Sequence, residues 1–146
     1  MKLSIFCDGG ARGNPGPAAI GFVVKDHAGH PLHQYSEVIG AATNNVAEYR
    51  AVLSALQWLL KEKENSKKTL HFALLTLNFF LDSALVVNQL NGRFKIKSAH
   101  LRDLIVQVKI LESKVTAPIT YTGIPRAQNS QADSLVNLAL DQHTIF

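Results

Sequence analysis

Cysteine and long apolar runs are scarce in this chain. It has one cysteine, Cys7, among 146 residues, so an internal disulfide is excluded. A chain with so few cysteines and no disulfide is typical of proteins from reducing compartments. No run of about 20 apolar residues, the length of a membrane-spanning helix, occurs without a polar break. Residues 1–6 lack the long apolar core and cleavage site of a signal peptide, and Asp8 follows at once. These absences predict a cytoplasmic protein without a membrane segment.

A strong charge imbalance and low-complexity segments are also missing. The chain has 15 Lys and Arg against 11 Asp and Glu, a net charge of +4. That excess permits a polyanionic partner without requiring one. Hydrophobic residues make up 47% of the chain, which is enough to build a core. With no internal repeat, the composition predicts a single globular domain over residues 1–146, for which we expect a monomer.

Apolar periodicity predicts alternating strands and helices along the chain. Residues 26–31 are predicted to join two strands as a hairpin connection, and residues 9–17, rich in Gly, Asn and Pro, to form a turn. The pattern of residues 69–73 predicts neither a strand nor a helix. Strands are predicted at residues 2–7, 19–25, 33–38, 74–81 and 118–122, and helices at about 43–60, 83–91, 98–114 and 129–140. This order predicts an α/β fold with a five-stranded mixed sheet flanked by helices, three antiparallel strands preceding the parallel ones.

Four acidic residues stand at the ends of these predicted elements. Asp8 closes the first strand, Glu48 and Asp82 lie at the starts of two helices, and Asp133 falls in the first turn of the last helix. Such positions can converge on one site. Magnesium prefers carboxylate, phosphate and water oxygens. A cluster of four carboxylates therefore suggests two-metal chemistry on phosphodiesters.

Each acid also has a structural explanation. Asp8 could be a turn residue, and Asp82 could cap the helix that follows it. Glu48 could complete a capping box with Asn45, three residues earlier. Asp133 could complement a helix dipole. Separately, each explanation is sufficient, so the order and local context of all four segments must decide.

Each acid stands in a longer motif, and in chain order the four motifs are Asp8-Gly9-Gly10-x-x-Gly13-Asn14-Pro15-Gly16-Pro17, Thr43-Asn44-Asn45-x-x-Glu48, Asp82-Ser83 with Leu85-Val86-Val87-x-Gln89-Leu90-Asn91-Gly92, and Asn129-x-x-Ala132-Asp133. Together, and in this order, they resemble the type 1 ribonuclease H family. The resemblance implies a ribonuclease H-like fold. It also implies an endonuclease that hydrolyses the RNA strand of RNA–DNA hybrids and leaves 5′-phosphate and 3′-hydroxyl ends. Asp8, Glu48, Asp82 and Asp133 would hold two Mg²⁺ ions, which Mn²⁺ could replace.

The resemblance also implies residues that contact the hybrid. Gly9 and Gly10 would let the backbone approach the minor groove, where 2′-hydroxyls distinguish RNA from DNA. Asn14, Asn44 and Asn45 match family positions that contact the hybrid, although the last two could equally be helix caps.

Residues 92–97 form the most basic stretch of the chain. Arg93, Lys95 and Lys97 could contact phosphates, or could solvate a loop whose alternate apolar residues are buried. Many relatives carry a longer basic protrusion here, so the chain resembles a compact subtype without it. The loop at residues 123–131 also lacks the His that many relatives carry, and Arg126 is its charged group.

Two other functions suit the same fold. One is a non-catalytic module that binds hybrids, against which the intact carboxylates argue. The other is a nuclease directed at DNA, against which the asparagines suited to a 2′-hydroxyl argue.

Overall fold

The structure, a computed structural model, describes residues 2–65 and 75–144. Five strands form one sheet in the order β3-β2-β1-β4-β5. Strands β1, β2 and β3 are antiparallel neighbours, whereas β4 runs parallel to both β1 and β5. The predicted mixed sheet is thereby confirmed. The elements are β1 (Lys2–Ala11), β2 (Gly16–Lys25), β3 (Pro31–Ala42), α1 (Asn44–Glu64), β4 (Thr76–Leu81), α2 (Ala84–Leu90), α3 (Ala99–Val115), β5 (Ile119–Gly123), a 3₁₀ helix (Arg126–Asn129) and α4 (Ser130–Thr144).

The glycine-rich segment is shorter as a turn than the sequence predicts. Gly9 to Ala11 continue β1 and Gly16 begins β2, with Ala11 paired to Ala18, so only residues 12–15 connect the two strands. The prediction of a turn over residues 9–17 was therefore wrong. Cross-strand pairing holds these small residues in extended backbone in spite of their turn propensity. The unassigned residues 69–73 lie outside the described residues.

Three of the helices have a serine or threonine as their N-cap. Thr43 accepts a hydrogen bond from the N–H of Val46, Ser83 from that of Val86, and Ser98 from that of Leu101. Each is a standard N-cap, which satisfies a backbone donor that the first helical turn leaves free. The caps fix where the chain leaves the sheet and turns into a helix.

Two faces of the sheet are covered by different helices. Alternate residues of β2 point to opposite sides, so Ile20 and Phe22 join the main core with α1, whereas Ala19 packs against α4. Gly21 lies under α4 so closely that a Cβ there would come within 2.8 Å of the carbonyl oxygen of Ala132. This close packing sets the height of α4 above the sheet.

Strand direction brings four chain segments to one edge of the sheet. Strands β1, β3, β4 and β5 all run the same way, because β3 is antiparallel to β2 and β2 to β1. Their carboxyl ends therefore lie together. Phe6 is paired with Phe80, which places Asp8 level with Asp82. The starts of α1 and α4, which follow β3 and β5, reach the same edge.

No helix in the described part of the chain is long and apolar enough to cross a membrane.

Candidate metal centre and nucleic-acid site

Three of the four predicted acids meet at this edge. One carboxylate oxygen from each of Asp8, Glu48 and Asp82 lies within 4.8 Å of the other two. Asp8 and Glu48 are 6% and 5% exposed, so two of the carboxylates are buried together. Like charges at this spacing repel one another strongly unless a proton or a cation lies between them.

Asp133 completes the group from the other side. It lies in the first turn of α4, half-buried, and its charge contributes to the raised pKa of Asp8. It is outside the 4.8 Å cluster but lines the same cavity, whose volume is about 400 Å³. All four predicted acids therefore line one cavity.

A glycine in β1 allows Glu48 to enter the site. A Cβ on Gly9 would lie 2.2 Å from the backbone carbon of Ala47, so only glycine fits between β1 and α1. The N–H of Gly9 donates to Oε1 of Glu48 over 3.2 Å. Gly9 and Gly10 both line the cavity, but the space beside Gly9 is filled by α1.

The structural explanations for two of the acids are wrong. Thr43 is the cap of α1, so Glu48 is not placed to pair with Asn45 in a capping box. Ser83, not Asp82, caps α2. Helix starts need one cap each, and both are already supplied by hydroxyls. The carboxylates of Glu48 and Asp82 are therefore left for another purpose.

Burial and mutual repulsion raise the proton affinity of the buried acids. The pKa of Asp8 is raised to about 7, chiefly by desolvation and further by the charges of Asp82 and Asp133. The pKa of Glu48 is also raised, by desolvation first and then by the charge of Asp8. A divalent cation that binds here would therefore compete with protons for these two carboxylates.

The donor set fits a hard divalent cation. Oε2 of Glu48 is buried and has no hydrogen-bond partner, which is costly unless a ligand satisfies it. Within residues 2–65 and 75–144, none of the ion pairs involves the four acids. Clustered oxygens without a basic partner are the ligands that Mg²⁺ and related ions prefer.

The raised pKa values predict how pH affects stability in EDTA. The pKa of Asp8 moves from 3.8 in the unfolded chain to about 7 in the fold, so the folded state binds the proton more tightly. The stability contributed by that proton is complete below 3.8 and is lost as pH rises through about 7. We therefore expect the metal-free melting temperature of Asp8→Asn to exceed that of wild type increasingly across this window. A difference that stays constant with pH would contradict the buried acid cluster.

The predicted asparagines form a connected pair beside the cavity. Oδ1 of Asn14 accepts from the N–H of Asn44 over 2.9 Å, and Oδ1 of Asn44 accepts from the N–H of Ala11 over 2.9 Å. Asn44 and Asn45 are the first two residues of α1 and line the cavity, so neither is its N-cap. Asn44 thus ties the end of β1 to the start of α1 through its oxygen, and its amide nitrogen is the polar group left for a ligand.

The basic stretch lies outside the cavity. Arg93, Lys95 and Lys97 are exposed in the connection between α2 and α3, which has no inserted protrusion. Phe94 is 50% exposed, so the expectation of buried alternate residues was wrong for this position.

The sequence did not identify every residue at the site. Arg12 and Arg126 line the cavity, and Arg12 also forms an ion pair with Asp141 on α4. In sequence, Asn129 is a plausible cap for the last helix, which is predicted to begin there. Instead its Oδ1 has no partner, and its amide nitrogen donates to the carbonyl of Cys7 and to Asp82. The signal available in sequence was the closeness of Asn129 to Asp133.

Known proteins share both the sequence pattern and the fold. The profile of a family described as reverse transcriptase-like matches residues 6–139. Bifunctional protein Rv2228c of Mycobacterium tuberculosis is 43% identical over 143 residues, which are 97% of this chain and 36% of that protein. Ribonuclease HI of Halobacterium salinarum is 35% identical over 140 residues, 96% of this chain and 65% of that protein. The chain thus spans little more than a third of the mycobacterial relative.

A solved structure agrees over nearly the whole chain. LC11-RNase H1 in complex with an RNA/DNA hybrid superposes with a TM-score of 0.87 at 38% identity, covering 97% of this chain and 98% of that one.

Proposed function

The chain belongs to the type 1 ribonuclease H family, and from this premise we propose that it is an endonuclease that hydrolyses the RNA strand of RNA–DNA hybrids. The products would carry 5′-phosphate and 3′-hydroxyl ends. Two Mg²⁺ ions, replaceable by Mn²⁺, would be held by Asp8, Glu48, Asp82 and Asp133. The proposal includes a single domain over residues 1–146 that acts as a cytoplasmic monomer.

The observation that carries this proposal is the cluster of three carboxylate oxygens within 4.8 Å, with Asp133 in the same cavity. When bound, divalent cations at such a site activate water and stabilise the leaving oxygen of a phosphodiester. The chain's own part is to hold the ligands in place. Asp8 is fixed in the middle of the sheet, and Glu48 is oriented by the N–H of Gly9. Rigid elements of this kind maintain the spacing that the chemistry requires.

A panel of substrates and cations tests the activity. We expect cleavage of an RNA–DNA hybrid with Mg²⁺ or Mn²⁺, none in EDTA, and little on duplex DNA or duplex RNA. Equal rates on duplex DNA would favour a nuclease directed at DNA. Tight hybrid binding without cleavage under every cation would favour a binding module. The melting temperature with each cation confirms that folded, metal-loaded protein was assayed.

Recognition of the 2′-hydroxyl is expected to depend on Asn44. Asn44→Asp keeps the oxygen that accepts from Ala11 but removes the amide donor and adds negative charge near the phosphates. We expect near-normal stability and a large loss of hybrid cleavage. Asn14 and Asn45 belong to the same proposed contact.

A chimeric substrate separates recognition from charge. The second substrate is a hybrid with one 2′-deoxy position beside the scissile phosphate. Wild type should cleave it much more slowly than the ordinary hybrid, whereas Asn44→Asp should cleave the two substrates at similar rates. If the substitution slows both substrates by the same factor, added charge alone explains the loss and Asn44 does not recognise the hydroxyl.

Hybrid binding is expected to be modest and sensitive to salt. Neutralising Arg93, Lys95 and Lys97 together should weaken binding, because each phosphate contact releases counterions. The slope of log affinity against log salt should become shallower by up to about 2–3. Fluorescence anisotropy with a labelled hybrid, in Ca²⁺ to prevent turnover, gives both quantities.

A triple variant elsewhere provides the matched control. Lys2, Lys61 and Lys114 are exposed and do not line the cavity. Changing all three to Gln removes three positive charges, as many as neutralising Arg93, Lys95 and Lys97 does. That variant should keep the wild-type slope. Equal slopes for all three proteins would mean that the basic connection merely solvates a loop.

A further inference from the structure

Asn129 occupies a position between the acids that the proposed metal site does not explain. It is 1% exposed and immediately precedes α4, four residues before Asp133. Its amide nitrogen donates to the carbonyl oxygen of Cys7 over 2.8 Å and to Oδ2 of Asp82 over 3.1 Å. One side chain therefore joins the strand that carries Asp8, the loop that carries Asp82 and the helix that carries Asp133.

The orientation of this amide follows from its partners. Both partners are oxygen acceptors, so the NH₂ group and not the oxygen must face them. The other end, Oδ1, is buried without a hydrogen bond. A buried acceptor without a partner is unfavourable, and such groups in native proteins call for an explanation. Here the two donated bonds supply one, because the amide must turn its NH₂ group toward the carbonyl of Cys7 and the carboxylate of Asp82, which turns its oxygen away from both.

A charged donor at this position would act differently. A Lys or Arg would neutralise the cluster and compete with a cation, as opposite charges at a few ångströms do. An amide donates to Oδ2 of Asp82 without cancelling its charge. It thereby fixes the carboxylate's rotation and leaves the other oxygen for a ligand. Groups that orient metal ligands in this way commonly change metal affinity or activity by about 10–100-fold when removed.

We propose that Asn129 is a positioning residue that preorganises Asp82, and with it the start of α4, for a divalent cation. The inference rests on the proposed function only in taking Asp82 as a cation ligand. It does not depend on which nucleic acid is cut, since its principal readout is cation binding.

Asn129→Leu tests this role. The substitution keeps the branched shape and the number of side-chain heavy atoms, removes both donated bonds and removes the unpaired oxygen. A melting curve checks that the variant is folded. We expect Ca²⁺ or Mg²⁺ binding, measured by calorimetry without substrate, to weaken by at least about tenfold. If the protein cleaves hybrids, the Mg²⁺ concentration for half-maximal rate should rise by a similar factor. Excess Mg²⁺ should restore part of the rate, with KM for the hybrid little changed.

Asn91→Leu is the matched control. The amide of Asn91 donates over 3.0 Å to the carbonyl oxygen of Tyr121, away from the acids. This variant should shift the melting temperature with cation affinity unchanged. A lowered melting temperature for Asn129→Leu with wild-type cation affinity would overturn the proposal and leave Asn129 as a structural latch. If the melting curve shows that Asn129→Leu does not fold, Asn129→Ser, which keeps one short donor, provides the same comparison. Failure of hybrid cleavage in wild type, with intact cation binding, would reject the proposed function and not this inference.

Discussion

Asp8→Asn is expected to reduce the rate of hybrid cleavage by more than about 100-fold. This is a larger loss than is usual when a residue that only hydrogen-bonds to a metal ligand is replaced. Asp8 lies in the central strand, and its carboxyl group adjoins those of Glu48, Asp82 and Asp133. Asparagine keeps the shape but removes the charge that draws divalent cations to the cluster. Turnover in Mg²⁺ measures the effect, and calorimetry should show weakened cation binding.

The same variant should not be less stable. Removing a buried carboxylate that its neighbours repel relieves the cluster. The metal-free melting temperature of Asp8→Asn should therefore be higher than that of wild type once the pH exceeds about 7. Asp103→Asn is the control, because Asp103 is exposed on α3 and should tolerate the same change without effect on turnover. Activity of Asp8→Asn within tenfold of wild type would remove Asp8 from the catalytic group.

Glu48→Gln and Asp82→Asn are each expected to lower turnover by a factor similar to that of Asp8→Asn. Gln at 48 can still accept from the N–H of Gly9 through its oxygen, but its NH₂ then replaces the unpaired Oε2 that would face a cation. Asn at 82 keeps an oxygen but loses the charge. Neither change removes a helix cap, because Thr43 and Ser83 cap α1 and α2. Melting temperatures should therefore stay at or above that of wild type.

Loss of a cap gives the opposite signature. Ser98→Ala removes the cap of α3, away from the cavity, and should cost about 1 kcal/mol of unfolding free energy with turnover unchanged. Comparing turnover and melting temperature across the three variants separates ligands from caps. If Glu48→Gln or Asp82→Asn melted at a lower temperature and turned over normally, that residue's role would be structural.

The sequence alone was enough to predict the order of the elements and the element near which each of the four acids lies. Period-two and helical patterns are local, so each strand and helix could be identified from its own residues. Boundaries were less certain for the same reason. Gly9 and Gly10 have the composition of a turn, but in the structure they pair with β2 and continue β1. The local sequence does not show this pairing, because it depends on a different segment of the chain.

Caps and polar contacts needed the fold. Thr43 and Asn45 are both plausible caps in sequence, and only the backbone at the start of α1 decides for Thr43. Asn129 looks like a third cap, yet the fold places its amide against Asp82, 47 positions away along the chain. Contacts between distant segments depend on strand order and register, which local pattern does not specify.

The sequence by itself determined which residues carry the charge and on which kind of element each lies, because those properties belong to single segments. Only the tertiary structure decided that the carboxylates share one site. Four strands run in the same direction, and the pairing of Phe6 with Phe80 puts Asp8 and Asp82 at the same level. Helix α1 can pack close to β1 because Gly9 has no Cβ, and this close packing brings Glu48 to the other acids. Burial then followed from packing, and burial raises the pKa values of Asp8 and Glu48, an effect that a sequence of acids in water does not have.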